Sequence, residues 1–154
     1  MNAKEKILVV DDEQQIRQLL TDLLEDFDVT SVGSVDDAME ALIADSFDLV
    51  LTDIKMPEKS GLELVQDVMR YASNTPVIVM SGHGGKEETM DCLRYGAYDF
   101  FEKPWDCDQV LLSVRRALDK SSIQKHKEQL LLQLKVKNDD LAKLNRVLLQ
   151  EKKR

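Results

Sequence analysis

Three short runs of unbroken apolar residues, ILVV (7–10), LVL (49–51) and VIVM (77–80), are separated by stretches of helical periodicity. Runs this short, without polar alternation, suit strands covered on both faces, and the intervening helices supply the cover. Strand Ile7–Val10 precedes a helix over 14–25, where Ile16, Leu19, Leu20, Leu23 and Leu24 recur at helical spacing. Strand Val29–Val32 precedes a helix over 35–45, capped by Ser34, with Ala38, Ala41 and Leu42 on one face. Strand Leu49–Thr52 leads through Ser60 to a helix over 61–72 carrying Leu62, Leu64, Val65 and Val68. Strand Val77–Met80 follows Pro76 and leads through SGHGG to a helix over 86–95 that Gly96 stops. A short strand, Asp99–Phe101, precedes a last helix that starts at Trp105–Asp106 and carries Val110, Leu111, Val114 and Leu118. Five strands alternating with five helices predict an α/β fold built on a doubly wound parallel sheet.

Charge divides the chain. Residues 120–154 hold ten Lys or Arg against four Asp or Glu, whereas residues 1–119 hold eleven against twenty-five. The acidic body excludes nucleic-acid binding through residues 1–119, because phosphate backbones attract positive surfaces. Beyond Lys120 the helical pattern changes. Leu134, Leu141 and Leu148 recur every seven residues, and Ile123, Leu130 and Leu144 form a second series offset by four, as at the a and d positions of a coiled coil. Lys127 and Lys137 interrupt this seam and Glu151 ends it, and no Gly or Pro occurs between residues 105 and 154. We therefore expect two parts: a domain over 1–119, and a helical extension over 120–154 that continues its last helix and pairs as a homodimer. The alternative is one amphipathic helix folding back on the body.

Cys92 and Cys107 form no CxxC pair and are expected to be free thiols. The ILVV run is too short for a signal peptide or a membrane span, so an intracellular, cytoplasmic protein without membrane attachment is expected.

In an open parallel sheet ligands bind at the carboxyl ends of the strands. The residues just past those ends are Asp11, Asp12 and Glu13, then Asp53, then Ser81, then Lys103. Asp53 is read here as an exposed acid at the end of a core strand. Clustered carboxylates repel one another, and a hard divalent cation with oxygen ligands, Mg²⁺ rather than caged Ca²⁺, would offset them. Adding a lysine and a hydroxyl completes the parts needed to move a phosphoryl group onto an aspartate. Taken singly each feature has a plainer reading: an Asp pair often caps a helix, Ser before Gly is a turn, and Lys-Pro is surface. Their coincidence at four strand ends is what points to a site.

ILVVDDE (7–13), LVLTDIKMPEKSG (49–61), VIVMSGHG (77–84) and GAYDFFEKPW (96–105) together resemble the receiver domain of two-component response regulators. The resemblance covers residues 6 to about 119 and implies a flavodoxin-like sheet of strand order 2-1-3-4-5. It implies Asp53 as phospho-acceptor, with Mg²⁺ held by Asp11, Asp12 (the direct ligand of the pair), Asp53 and the Lys55 carbonyl. It implies Ser81 and Lys103 as the groups that bind the phosphoryl oxygens, a cis Lys103-Pro104 peptide, and Phe100 as the aromatic switch. Lys55 and His83 occupy the positions that tune dephosphorylation in such domains; His83 reads equally well as a solvated loop residue. His126 lies in the basic helix without a phosphotransfer motif and reads as a solvated residue.

The resemblance further implies a sensor histidine kinase as partner and no enzymatic activity beyond the domain's own phosphoryl transfer and autodephosphorylation. Two other readings stay open: a receiver-like scaffold that acts through the coil without phosphorylation, and a Mg²⁺-dependent phosphatase. The latter lacks the second acid such enzymes carry two residues past the nucleophile, where Lys55 stands. Residues 120–154 contain neither a helix-turn-helix nor a catalytic motif. MSGHG with GAYDFFEKP resembles receivers that precede ATPase activators of transcription; KPW resembles those joined to coiled coils, cyclic-dinucleotide phosphodiesterases or kinases. The output is thus open between a longer protein and a regulator that acts by binding another protein.

Overall fold

The computed structural model describes residues 3–82 and 84–152. Five strands alternate with five helices: β1 (Lys6–Val10), α1 (Gln14–Leu23), β2 (Asp28–Val32), α2 (Val35–Ala44), β3 (Leu49–Asp53), α3 (Gly61–Tyr71), β4 (Val77–Ser81), α4 (Lys86–Arg94), β5 (Asp99–Glu102) and α5 (Cys107–Lys152). The strands pair in parallel in the order β2-β1-β3-β4-β5, the flavodoxin-like doubly wound topology expected. The described residues divide into two compact units, one ending at Ser121 and one beginning at Ser122.

The strand period of two makes the sheet doubly covered. Ile7, Val9, Leu49, Leu51, Ile78 and Met80 face one way, into a core with Leu20 and Leu24 and with Val110, Val114, Ala117 and Leu118 of α5. Leu8, Val10, Val50, Val77 and Val79 face the other way, against Ala38, Leu42, Leu64, Val65, Val68 and Cys92. That is why β1, β3 and β4 read as unbroken apolar runs, whereas in β2, at the sheet edge, Val29 and Val32 are half-buried and the other residues are exposed. Burial pushes the Cys92 thiol up to about 11, which makes it an inert core group; both cysteines are free.

Local signals act as their chemistry requires. The Ser34 hydroxyl accepts from Asp37 N at 3.1 Å, and the Ser60 hydroxyl accepts from Glu63 N at 3.4 Å. Gly96 ends α4 with φ of 116°, in the left-handed region that a Cβ disfavours. Some expectations shift. α5 begins at Cys107 rather than at Trp105–Asp106, with Asp106 capping it by accepting from Asp108 N at 3.0 Å. Of the five apolar positions of the first helix, only Leu20 and Leu24 are buried, and Leu19 and Leu111 lie at the surface. The helical spacing marked a stripe broader than the part that meets the sheet.

In the second unit the apolar side chains of both heptad series, from Ile123 to Leu148, are exposed. Among the described residues, no helix is long and apolar enough to cross a membrane.

Candidate functional site

Strand order brings the acids together. β1 and β3 are neighbours although β2 separates them in the chain, and Val10 pairs with Thr52. Asp11, the residue after Val10, therefore stands beside Asp53. On the other side Asp53 pairs with Met80, and Ser81 pairs with Glu102, which sets Lys103 at the same rim. Lys103 N donates to Ser81 O at 2.8 Å, so the lysine is positioned by the end of β4. The peptide that follows it, Lys103-Pro104, is cis.

Asp11, Asp12 and Asp53 each offer a carboxylate oxygen within 4.8 Å of the others. Lys103 Nζ donates to Asp11 Oδ2 at 3.2 Å and to Asp53 Oδ2 at 3.3 Å. One ammonium is thus shared by two carboxylates, with Asp12 exposed at the opening. Burial is the largest influence on Asp53 and raises its carboxyl above the ordinary value; Lys103 pulls against the rise and Asp11 adds to it. For Lys103 burial acts downward, yet Asp53 and Asp11 outweigh it and hold the ammonium above its ordinary value. The two shifts are consistent, because the lysine gains from two anions whereas each anion shares one lysine.

Asp53 is the last residue of β3 and only 6% exposed, not the exposed acid expected past the strand. The enclosure comes from Asp11 and Lys103 on one side and from its own following turn on the other. Gly61 N donates to Ile54 O at 2.7 Å, and a Cβ on Gly61 would lie 2.3 Å from Asp53 O. The glycine is therefore required by close backbone approach. Within the same turn, Lys59 N donates to Pro57 O at 2.8 Å around Glu58, whose φ is 69°. This is a γ-turn, a strained conformation in a non-glycine residue. Lys59 Nζ anchors it to Asp36 Oδ1 at 2.6 Å.

Ser81, likewise the last residue of its strand rather than beyond it, is 4% exposed at the same rim. Gly82, which follows, is exposed. Lys55 extends into solvent, and Phe100 is exposed on β5. The expectation for His83 lies outside the described residues.

Sequence reasoning missed one contact at this rim and one at the amino-terminal end of β5. Arg17 Nη1 donates to Asp11 O at 2.7 Å. The Ser113 hydroxyl hydrogen-bonds Asp99 Oδ2, while Asp99 Oδ1 accepts from Phe100 N at 2.8 Å. Neither carried a local signal, because each depends on which helix lies over which strand.

The donor set fits a hard divalent cation: three carboxylates against one lysine leave net negative charge, with only oxygen donors in the cluster and one exposed member.

Comparison with known proteins agrees. The family model of the response regulator receiver domain matches residues 7–115. The chain is 35% identical over 127 residues to the regulatory protein AtoC of Escherichia coli, covering 81% of this chain and 28% of AtoC. It is 38% identical to the C4-dicarboxylate transport transcriptional regulatory protein DctD of Pseudomonas aeruginosa, covering 77% and 26% respectively. It therefore spans about a quarter of the length of these relatives. Among solved structures, the receiver domain of NtrX from Brucella abortus superposes with a TM-score of 0.70 at 37% identity, over 73% of this chain and 98% of that one. A response regulator receiver domain protein from Clostridium thermocellum gives 0.74 at 27% identity, over 78% and 98%. With sheet order, acidic rim and family model in agreement, the chain belongs to the response regulator receiver family of two-component signalling.

Proposed function

We propose that this chain accepts a phosphoryl group on Asp53 from a phosphohistidine of a sensor kinase, in a Mg²⁺-dependent reaction, and that residues 1–119 form the receiver while residues 120–154 form a dimerising helix. The observation that carries this reading is the shared lysine: Lys103 Nζ sits 3.2 Å from Asp11 Oδ2 and 3.3 Å from Asp53 Oδ2, beside a third carboxylate, Asp12.

In the reaction an Asp53 carboxylate oxygen attacks phosphorus, the donor P–N bond breaks, and its electron pair leaves with the imidazole. Asp11, Asp12 and Asp53, with the Lys55 carbonyl, would hold Mg²⁺. The bound cation would supply positive charge where the phosphoryl oxygens gather. Lys103 stabilises an equatorial oxygen, having exchanged its bond to Asp53 for one to the new phosphate. Ser81 donates its hydroxyl to a second oxygen. Drawing Ser81 toward the phosphate frees space into which Phe100, now outward, turns. That rearrangement of β4, β5 and the helices beside them is a shift between two populated states. Lys55, two residues after Asp53, and His83, two residues after Ser81 in the sequence, would slow attack by water on the phosphoryl group. The reading makes this a cytoplasmic signalling protein whose only chemistry is its own phosphorylation and dephosphorylation, with no direct contact to nucleic acid.

Incubation with acetyl phosphate and Mg²⁺ tests it. Intact-mass measurement should show one added phosphoryl group on the wild type and none on Asp53→Asn. A wild type that stays unmodified would leave the unphosphorylated scaffold as the better account.

A further inference from the structure

Asp11 is held on four sides. Its N–H donates to Val32 O at 3.1 Å, its Oδ1 accepts from Glu13 N at 2.9 Å, and its Oδ2 accepts from Lys103. Its carbonyl accepts from Arg17 Nη1 at 2.7 Å. Arg17 sits one turn into α1, its N–H bonded to Glu13 O at 3.1 Å, so the guanidinium reaches back over the turn from which its own helix springs. Asp11 is fully buried, and a buried carbonyl without a donor is costly. Across from this bond lies Gly33, at the end of β2. A Cβ there would come within 3.3 Å of Arg17 Nη1 and 3.9 Å of Asp11 O. The guanidinium thus occupies a slot between the acidic turn and a residue with no side chain.

We propose that Arg17 is a positioning residue for the acidic turn: it fixes the peptide after Asp11, so that Asp11 and the exposed Asp12 present their carboxylates to one divalent cation, and Gly33 leaves room for it to do so. The inference rests on the reading of this rim as a cation and phosphoryl site. Its direction separates it from plain electrostatics. A positive charge near a cation site weakens cation binding, so on Coulombic grounds removing Arg17 would tighten binding. A positioning role gives the opposite sign, because the ligand geometry is lost.

The test is Mn²⁺ binding followed by electron paramagnetic resonance of the free ion, with Mg²⁺ as competitor and thermal unfolding in EDTA as a fold control. Arg17→Ala should weaken binding about tenfold or more, and Arg17→Lys should recover part of the loss. Gly33→Ala should weaken it by a smaller factor while Arg17 remains in the chain. The double variant should bind no more weakly than Arg17→Ala alone, because both changes act on one contact. Should Arg17→Ala unfold, Gly33→Ala and Arg17→Lys carry the test. Wild-type-like or tighter binding in Arg17→Ala, or a full additive loss in the double variant, would overturn the proposal. A wild type that binds Mn²⁺, with binding lost in Asp12→Asn but kept in Arg17→Ala, overturns this inference alone. A wild type that binds no Mn²⁺ overturns the cation reading and the inference with it.

Discussion

Lys103 and Asp53 are fifty residues apart in the chain, and their side chains meet at 3.3 Å. The bond is one half of a shared arrangement, since the same ammonium reaches Asp11 at 3.2 Å. A lysine between two carboxylates, with a third nearby, holds a site together while leaving it net negative. Such a site is stable enough to fold and still has a use for a further cation.

Asp53 contributes instability at neutral pH. Its folded carboxyl lies above the ordinary value of 3.8, so the native state binds this proton more readily than the unfolded chain does. Stability is therefore lost as pH rises from that value through the folded one. Without divalent cation, Asp53→Asn should be more stable than wild type at neutral pH, with the gap closing in acid. Mg²⁺ should raise the wild-type Tm more than that of the variant. Denaturant titrations across pH measure this, and a variant less stable at neutral pH contradicts it.

Lys103→Met removes the cation that two enclosed carboxylates share. We expect a loss of about 2–3 kcal/mol, below that of a fully buried pair because the lysine is partly exposed. Saturating Mg²⁺ should recover part of it. Thermal unfolding with and without Mg²⁺ checks both, and equal losses in the two conditions would separate the lysine from the cation site.

Gly61→Ala would place a methyl group 2.3 Å from Asp53 O. The obstacle is backbone, which cannot rotate aside, so a destabilisation of about 2–3 kcal/mol is expected. The mobility of β3 should rise as well, visible as faster amide exchange at Ile54 and Gly61. Unchanged exchange at both would mean that the turn relaxes freely.

The exposed heptad residues of the helical extension make the dimer testable. Leu134→Asp with Leu141→Asp puts charge at two successive positions of one series. Light scattering should show a concentration-dependent dimer for wild type and a monomer for the variant, with receiver unfolding unchanged. A wild-type monomer at high concentration would refute the pairing.

Lys55 reaches into solvent beside the acceptor strand. If it shields the phosphoryl group, Lys55→Ala should shorten the phosphate lifetime several-fold, and His83→Ala should act in the same direction. The decay of the phosphoprotein signal measures this, and an unchanged half-life removes the shielding role.

Much of the fold was legible because its determinants are local. Unbroken apolar runs mark strands buried on both faces, Ser34 and Ser60 mark helix starts, and Gly96 marks a stop. The candidate acids were legible too, since the carboxyl ends of parallel strands share one rim. What could not be read there was which groups touch. Asp53 looked exposed because it ends a strand, yet it is enclosed by Asp11, Lys103 and the close approach of Gly61. Arg17 gave no sign of its bond to the Asp11 carbonyl, because that bond exists only once α1 lies over the first turn. Residue type and period are properties of a few neighbouring positions and so survive in the sequence. Enclosure and shared charge depend on strands from across the chain being set side by side, and only the folded sheet does that.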